Sequence, residues 1–113
     1  MANTKQDQIN EYLTKTYDTN PSIRSKVVRE LCPCKVQKDI DEFWSRLFEM
    51  VTDPDATVRY NVVHTLCDGS PKEKESDIIN ALEKLWNDPD ENIRRNVRKA
   101  LGEYRRTGNW NVL

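Results

Sequence analysis

A chain of 113 residues has room for one domain, and a domain of that size buries only around two thirds of its unfolded-chain surface. Apolar residues make up 36% and charged residues 33%, with three glycines and five prolines, a profile that favours a soluble, helix-rich protein. The net charge of -1 names no class of partner, and no apolar run approaches the roughly 18 residues of a membrane span.

In chain order, the apolar periodicity predicts helices near 4–17, 22–32, 37–51, 56–67, 71–87 and 91–106. The first is thin, offering Ile9, Tyr12 and Leu13 among polar neighbours, as befits a terminal unit with one side in water. The second carries Ile23, Val27 and Leu31 at i, i+4 and i+8, one stripe on one face, and Pro33 ends it. The third places Phe43, Trp44, Leu47, Phe48 and Val51 together. Asp53-Pro54-Asp55 is a tight turn into the fourth, whose stripe is Val58, Val62 and Leu66 and whose end is Asp68-Gly69. Ser70-Pro71-Lys72-Glu73 has the form of a capping box opening the fifth, which carries Ile78, Ile79, Leu82 and Trp86. Asp88-Pro89-Asp90 opens the sixth, and residues 107–113, with Trp110, Val112 and Leu113, break the pattern as a tail. Trp44 and Trp86 both lie on apolar stripes and are assigned to the core.

The chain repeats itself at a shift of 35 residues. Asp18, Asp53 and Asp88 coincide; so do Ile23, Val58 and Ile93, each followed by Arg24, Arg59 or Arg94. Val27, Val62 and Val97 follow, then Leu31, Leu66 and Leu101. Five columns over three copies are the mark of a solenoid. The run Asp-x4-(Val/Ile)-Arg, with apolar residues four and eight positions on, resembles the HEAT repeat. The third copy, Asp88 to Tyr104, is similar to the HEAT-like repeats of the phycocyanobilin lyase type. The first departs from the pattern, with Thr19-Asn20 in place of Pro-Asp and the proline displaced to Pro21. The expected architecture is all-α: a short right-handed α-solenoid of three HEAT-like helix pairs, about 4–34, 35–69 and 70–106, in one domain over 1–106.

The resemblance implies that Asp18, Asp53, Asp88 and Arg24, Arg59, Arg94 form a hydrogen-bonded ladder linking repeats, which makes these arginines fold residues. Cys32-Pro33-Cys34, with Cys67 and His64, does not read as a zinc site, because Cys-x-Cys lacks the usual ligand spacing. Cys32 and Cys67 hold the same repeat position, where the third copy has Gly102. Packed helices lie about 8–10 Å apart, beyond the Cα reach of a disulfide at about 4.4–6.8 Å. A small residue permitting close helix approach accounts for Cys, Cys and Gly together. His64 aligns with Arg29 and Lys99 and reads as a surface histidine. With no Gly-rich phosphate loop, nucleophile elbow or paired-histidine motif, no enzyme activity, metal or cofactor is expected.

The charges are sorted between helix layers. The second helices, 22–32, 57–67 and 92–106, hold ten basic residues against Glu30 and Glu103, a surplus of +8, and the remainder carries -9. In HEAT arrays the second helices line the concave surface, so the resemblance implies a basic inner face. Discounting all three ladder arginines leaves about +5, concentrated at Arg95, Arg98, Lys99, Arg105 and Arg106. Tyr60 stands opposite the apolar stripe, where an aromatic can anchor a partner.

The expected function is therefore a non-enzymatic interaction module binding a protein with an acidic surface through Tyr60, His64, Arg95, Arg98, Lys99, Arg105 and Arg106. Sequence-independent phosphate contacts with nucleic acid are the alternative, and a bilin lyase-like accessory role is a minor one. A homo-oligomer is compatible with the apolar residues at the C-terminal edge. The N-terminus lacks the apolar core of a signal peptide, and three cysteines cannot all pair within one chain, so a cytoplasmic location is the expectation.

Overall fold

The structure is a computed structural model that describes residues 5–31, 41–68 and 72–109. The expectations for Cys32-Pro33-Cys34, the start of the third helix, Gly69, the Ser70-Pro71 box and Trp110 lie outside the described residues. Those described form six α-helices and no strand: α1 (Lys5–Lys15), α2 (Pro21–Glu30), α3 (Asp41–Glu49), α4 (Ala56–Leu66), α5 (Glu75–Lys84) and α6 (Glu91–Thr107). A 3-10 turn, Met50–Thr52, follows α3, and another, Lys72–Lys74, precedes α5. The fold is a short helical solenoid.

Each second helix starts on a side-chain cap. Asp55 accepts from the Val58 N–H at 3.1 Å and Asp90 from the Ile93 N–H at 3.0 Å. In the first copy Asn20 takes that place, accepting from the Ser22 N–H at 2.9 Å, and Pro21 fills the first helical position. Either way the side chain satisfies an amide that the helix leaves without a partner. At the far end of α6, Gly108 adopts φ +73 and donates its N–H to the Tyr104 carbonyl at 2.7 Å, a left-handed cap that other residues adopt at a cost.

The layers pack as the stripes require. The second helices lie side by side, α2 on α4 and α4 on α6, while α3 meets α5. Tyr12 of α1 sits edge-on to Phe43 of α3, ring centroids 6.1 Å apart. A single apolar cluster runs from Val28 to Leu101, and Val58, Val62, Val63, Leu66, Ile78, Leu82, Ile93 and Val97 are fully buried in it. Polar side chains inside the stack are paired: Thr65 donates to the Val28 carbonyl at 3.1 Å, and the Asn61 amide bonds both the carbonyl and hydroxyl of Ser25.

Three sequence expectations are overturned. Trp86 is not core: it lies in the turn after α5 and is 36% exposed, with the Arg98 guanidinium 4.9 Å from its ring centroid. Its register partner Val51 is buried between neighbouring repeats, whereas Trp86 stands at the outer edge of the last one. Ile23 is 39% exposed although Val58 and Ile93, in the same column, are fully buried; it stands at the opposite edge of the stack. Gly102 permits no close approach. A Cβ built there meets nothing within 4 Å, and the residue is exposed. Its helix-breaking entropy thus has no packing return, and Gly102→Ala should stabilise the protein by about 0.5–1 kcal/mol in urea denaturation.

The predicted helix ends also shorten. The first helix stops at Lys15 and the fifth at Lys84, and the third passes into a 3-10 turn at Met50. There the last turn tightens to satisfy carbonyls that an α-helix would leave open.

Candidate partner-binding surface

The arginine columns are the best-defined polar geometry in the molecule. Arg24 donates from Nε and Nη2 to the two carboxylate oxygens of Asp53, at 3.0 and 3.1 Å. Arg59 does the same to Asp88, at 2.8 and 3.2 Å. In each case Nη1 turns back to a carbonyl of the preceding turn: Arg24 to Asp18 and Arg59 to Asp53, both at 2.8 Å. The aspartates are held in turn by their own loops, since Oδ1 of Asp53 accepts from the Asp55 N–H and that of Asp88 from the Asp90 N–H, both at 2.9 Å. Each arginine thus ties its own turn to the next one through a bidentate, charge-assisted pair. The paired aspartate raises the Arg24 pKa above its ordinary value.

Because the arginine of one copy takes the aspartate of the next, three copies yield two pairs. Among the described residues Arg94 bonds only the carbonyls of Asp88 and Pro89, at 2.7 and 3.0 Å. The discount applied to three neutralised arginines is therefore one too many, and the second-helix surplus is about +6 rather than +5.

The residues singled out as partner contacts divide into separate groups. Tyr60 is 37% exposed and lines a shallow pocket of about 260 Å3 with Ala56, Thr57, Asp90 and Asn92. His64, on the same helix, is partly buried, with Nε2 3.9 Å from Asp68 Oδ2. Arg95 pairs with Glu91 of its own helix at 3.1 Å, Arg106 pairs with Glu103, and Lys99 is exposed. Arg98 turns away from Tyr60 and His64. Its Nε donates to the Trp86 carbonyl at 3.2 Å and its Nη2 to Asn87 Oδ1 at 3.1 Å. Arg105 joins that cluster, lining a pocket with Glu83, Trp86 and Asn87. The signal was in the register: Arg98 stands in the column of Val28 and Val63, both fully buried, so it marks an edge of the stack.

Burial lowers the His64 pKa from its ordinary 6.5, with the nearby Arg29 charge adding to the effect and Asp68 opposing it. The sign is fixed: below about pH 6.5 the unfolded chain takes up this proton more readily than the folded one, so stability falls as pH drops through that range. His64→Gln should flatten the dependence when denaturation midpoints at about pH 7.5 and about pH 5.5 are compared.

Sequence reasoning missed Arg46. From α3 it donates Nε to Thr16 Oγ1 at 2.9 Å and Nη2 to the Thr16 carbonyl at 3.0 Å, and its guanidinium lies 3.6 Å from the Tyr17 ring centroid. It clamps the turn after α1 to the second repeat. Its register partners are Glu11 and Ala81, so no column announced it. Cys67 is buried and its thiol is pushed up to about 12 by desolvation, which keeps it an unreactive packing residue. Among the described residues no cluster of His, Cys, Asp or Glu could hold a metal ion, and no helix is long and apolar enough to cross a membrane.

Comparison with known proteins bears on what such a surface serves. No curated protein and no solved structure matches the chain. One family model does match, that of Cnd1, the non-SMC mitotic condensation complex subunit 1, over residues 22–113. The match takes in all three second helices and the Asp53 and Asp88 turns, the segments on which the HEAT resemblance rests. The chain belongs to the Cnd1 family, a HEAT-repeat-type family of condensin subunits.

Proposed function

We propose that this chain is a non-enzymatic scaffold that binds a partner protein on the exposed side of its second helices. The observation that carries this reading is Tyr60, an exposed aromatic on a helix locked in place on both sides. Asn61 next to it is bonded to the first repeat, and Arg59 before it is bonded to the third. An anchor held this way loses little freedom on binding, so contact energy goes into affinity instead of ordering the surface. The family description, a complex subunit, points the same way, since a subunit's work is assembly.

Exposed cations flank the anchor on α6, chiefly Lys99 and Arg95, and they favour an acidic partner surface. Arg98 and Arg105 belong to the Trp86 edge and are not assigned to this face. We assign Tyr60, His64, Arg95 and Lys99 to the partner contact.

The test is quantitative capture of native partners on immobilised wild-type protein and on Tyr60→Ala/Lys99→Glu, with melting temperature as the control for folding. Loss of capture by about tenfold or more at an unchanged melting temperature supports the surface, as removal of a central aromatic anchor should. Undiminished capture rejects it. Fluorescence anisotropy with random DNA and RNA at about 50 and about 200 mM salt covers the phosphate alternative; binding that collapses at the higher salt would replace the protein partner with nucleic acid.

A further inference from the structure

The ladder leaves one position open at each end of the stack. At one end Asp18 is built like Asp53 and Asp88: its Oδ1 accepts the Asn20 N–H at 2.8 Å, and Arg24 bonds its carbonyl. Yet among the described residues no cation is paired with its carboxylate. At the other end Arg94 is built like Arg24 and Arg59, with Nη1 on its own turn. Its Nε and Nη2, the two donors that Arg24 and Arg59 give to an aspartate, have no acceptor among the described residues. An open arginine fork and an open aspartate of the matching geometry therefore stand at opposite ends of one molecule.

We propose that two copies of this chain dock head to tail, Arg94 of one taking the Asp18 carboxylate of the next as Arg24 takes Asp53 and Arg59 takes Asp88. The pairs already in the chain are the template, and the register predicts which neighbours meet. Ile23, exposed beside Asp18, enters the place where Val58 and Ile93 are fully buried. Glu30 enters the place of Thr65, which bonds the Val28 carbonyl, and so arrives at Arg98, the residue in Val28's column.

One element opposes the contact. Lys26 takes the place of Asn61, which bonds Ser25 and Arg29; in the third repeat those columns hold Arg95 and Lys99. Like charges meet there, so the association is weak and reversible, and Lys26→Glu strengthens it. The contact joins two different surfaces of the same chain, which does not require closure, so assemblies lengthen with concentration. The contact borders the Tyr60 face at Arg95 and Lys99, but Asp18 and Arg94 lie outside that face, so variants at these two positions test the stacking separately from the partner contact.

Sedimentation velocity on the full chain over a concentration series at low salt tests this. The wild-type protein should increase in mass beyond the dimer as concentration rises. Arg94→Asp and Asp18→Arg should each remain monomeric, while a one-to-one mixture of Arg94→Asp with Asp18→Asn should form dimers and nothing larger, because each of those two retains the end the other lacks. Asp18→Asn, which keeps the turn's hydrogen bond, should also lose association. Lys26→Glu should associate more strongly at an unchanged melting temperature, and adding Asp18→Asn to it should abolish that gain. A wild-type chain that stays monomeric at millimolar concentration overturns the proposal, as does association that survives in both charge reversals.

Discussion

Replacing Arg59 with alanine should destabilise the protein by about 3–5 kcal/mol, the range for breaking a buried ion pair by removing one partner. The larger part of that loss falls on Asp88. Its side chain is 3% exposed, and both of its oxygens accept from Arg59. Without the guanidinium, a carboxylate stays sealed in the stack with the Asp90 amide as its remaining partner in the turn. The Asp53 carbonyl loses its donor as well. Arg94→Ala is the internal control, since among the described residues Arg94 bonds two carbonyls and no carboxylate. Its loss should cost about 1.5–3 kcal/mol, the range for a hydrogen bond from a charged group, and less than the loss of Arg59 because no carboxylate is stranded. Urea denaturation of both variants decides the matter. Equal effects would mean that the ladder contributes nothing beyond its individual contacts.

Trp44→Ala should cost about 3–5 kcal/mol, as for deletion of a large core aromatic. Small domains have about 5–15 kcal/mol of stability in total, so this variant should melt well below the wild type and populate the unfolded state at room temperature. Trp44 is 4% exposed and packs against Phe48 with ring centroids 6.0 Å apart, so truncation opens a cavity that rigid helices cannot close. Trp86→Ala should cost only about 0.5–1 kcal/mol, the scale of an exposed cation–π contact. The two tryptophans separate core from edge, and circular-dichroism melts give the comparison. Similar melting temperatures for the two variants would place Trp44 outside the core.

These predictions rest on features with different legibility in the sequence. Helices α2, α4 and α6 could be read directly, because a three-fold stripe of Ile or Val, Val and Leu at i, i+4 and i+8 survives any local ambiguity. The turns could be read as well: Asp-Pro-Asp combines a cap, a fixed φ and an acceptor within three residues. Even the offset between Asp53 and Arg24 was visible, since residues from neighbouring repeats keep a constant separation. Trp86 and Ile23 could not be assigned from their own helices. Periodicity tells which face of a helix is apolar, but whether that face is covered depends on a neighbouring repeat.

The repeat, the helix pairs, the apolar stripes and the columns of aspartate and arginine are legible in the residues alone, because each is a local pattern multiplied by three. Which arginines find a carboxylate, the Arg46 clamp on the first turn and the turn of Arg98 toward Trp86 emerge once the repeats are stacked. The reason is physical. A pattern of period 35 is the same for every copy, whereas burial and pairing depend on what lies on either side, and among the described residues it is the middle repeat that is packed on both.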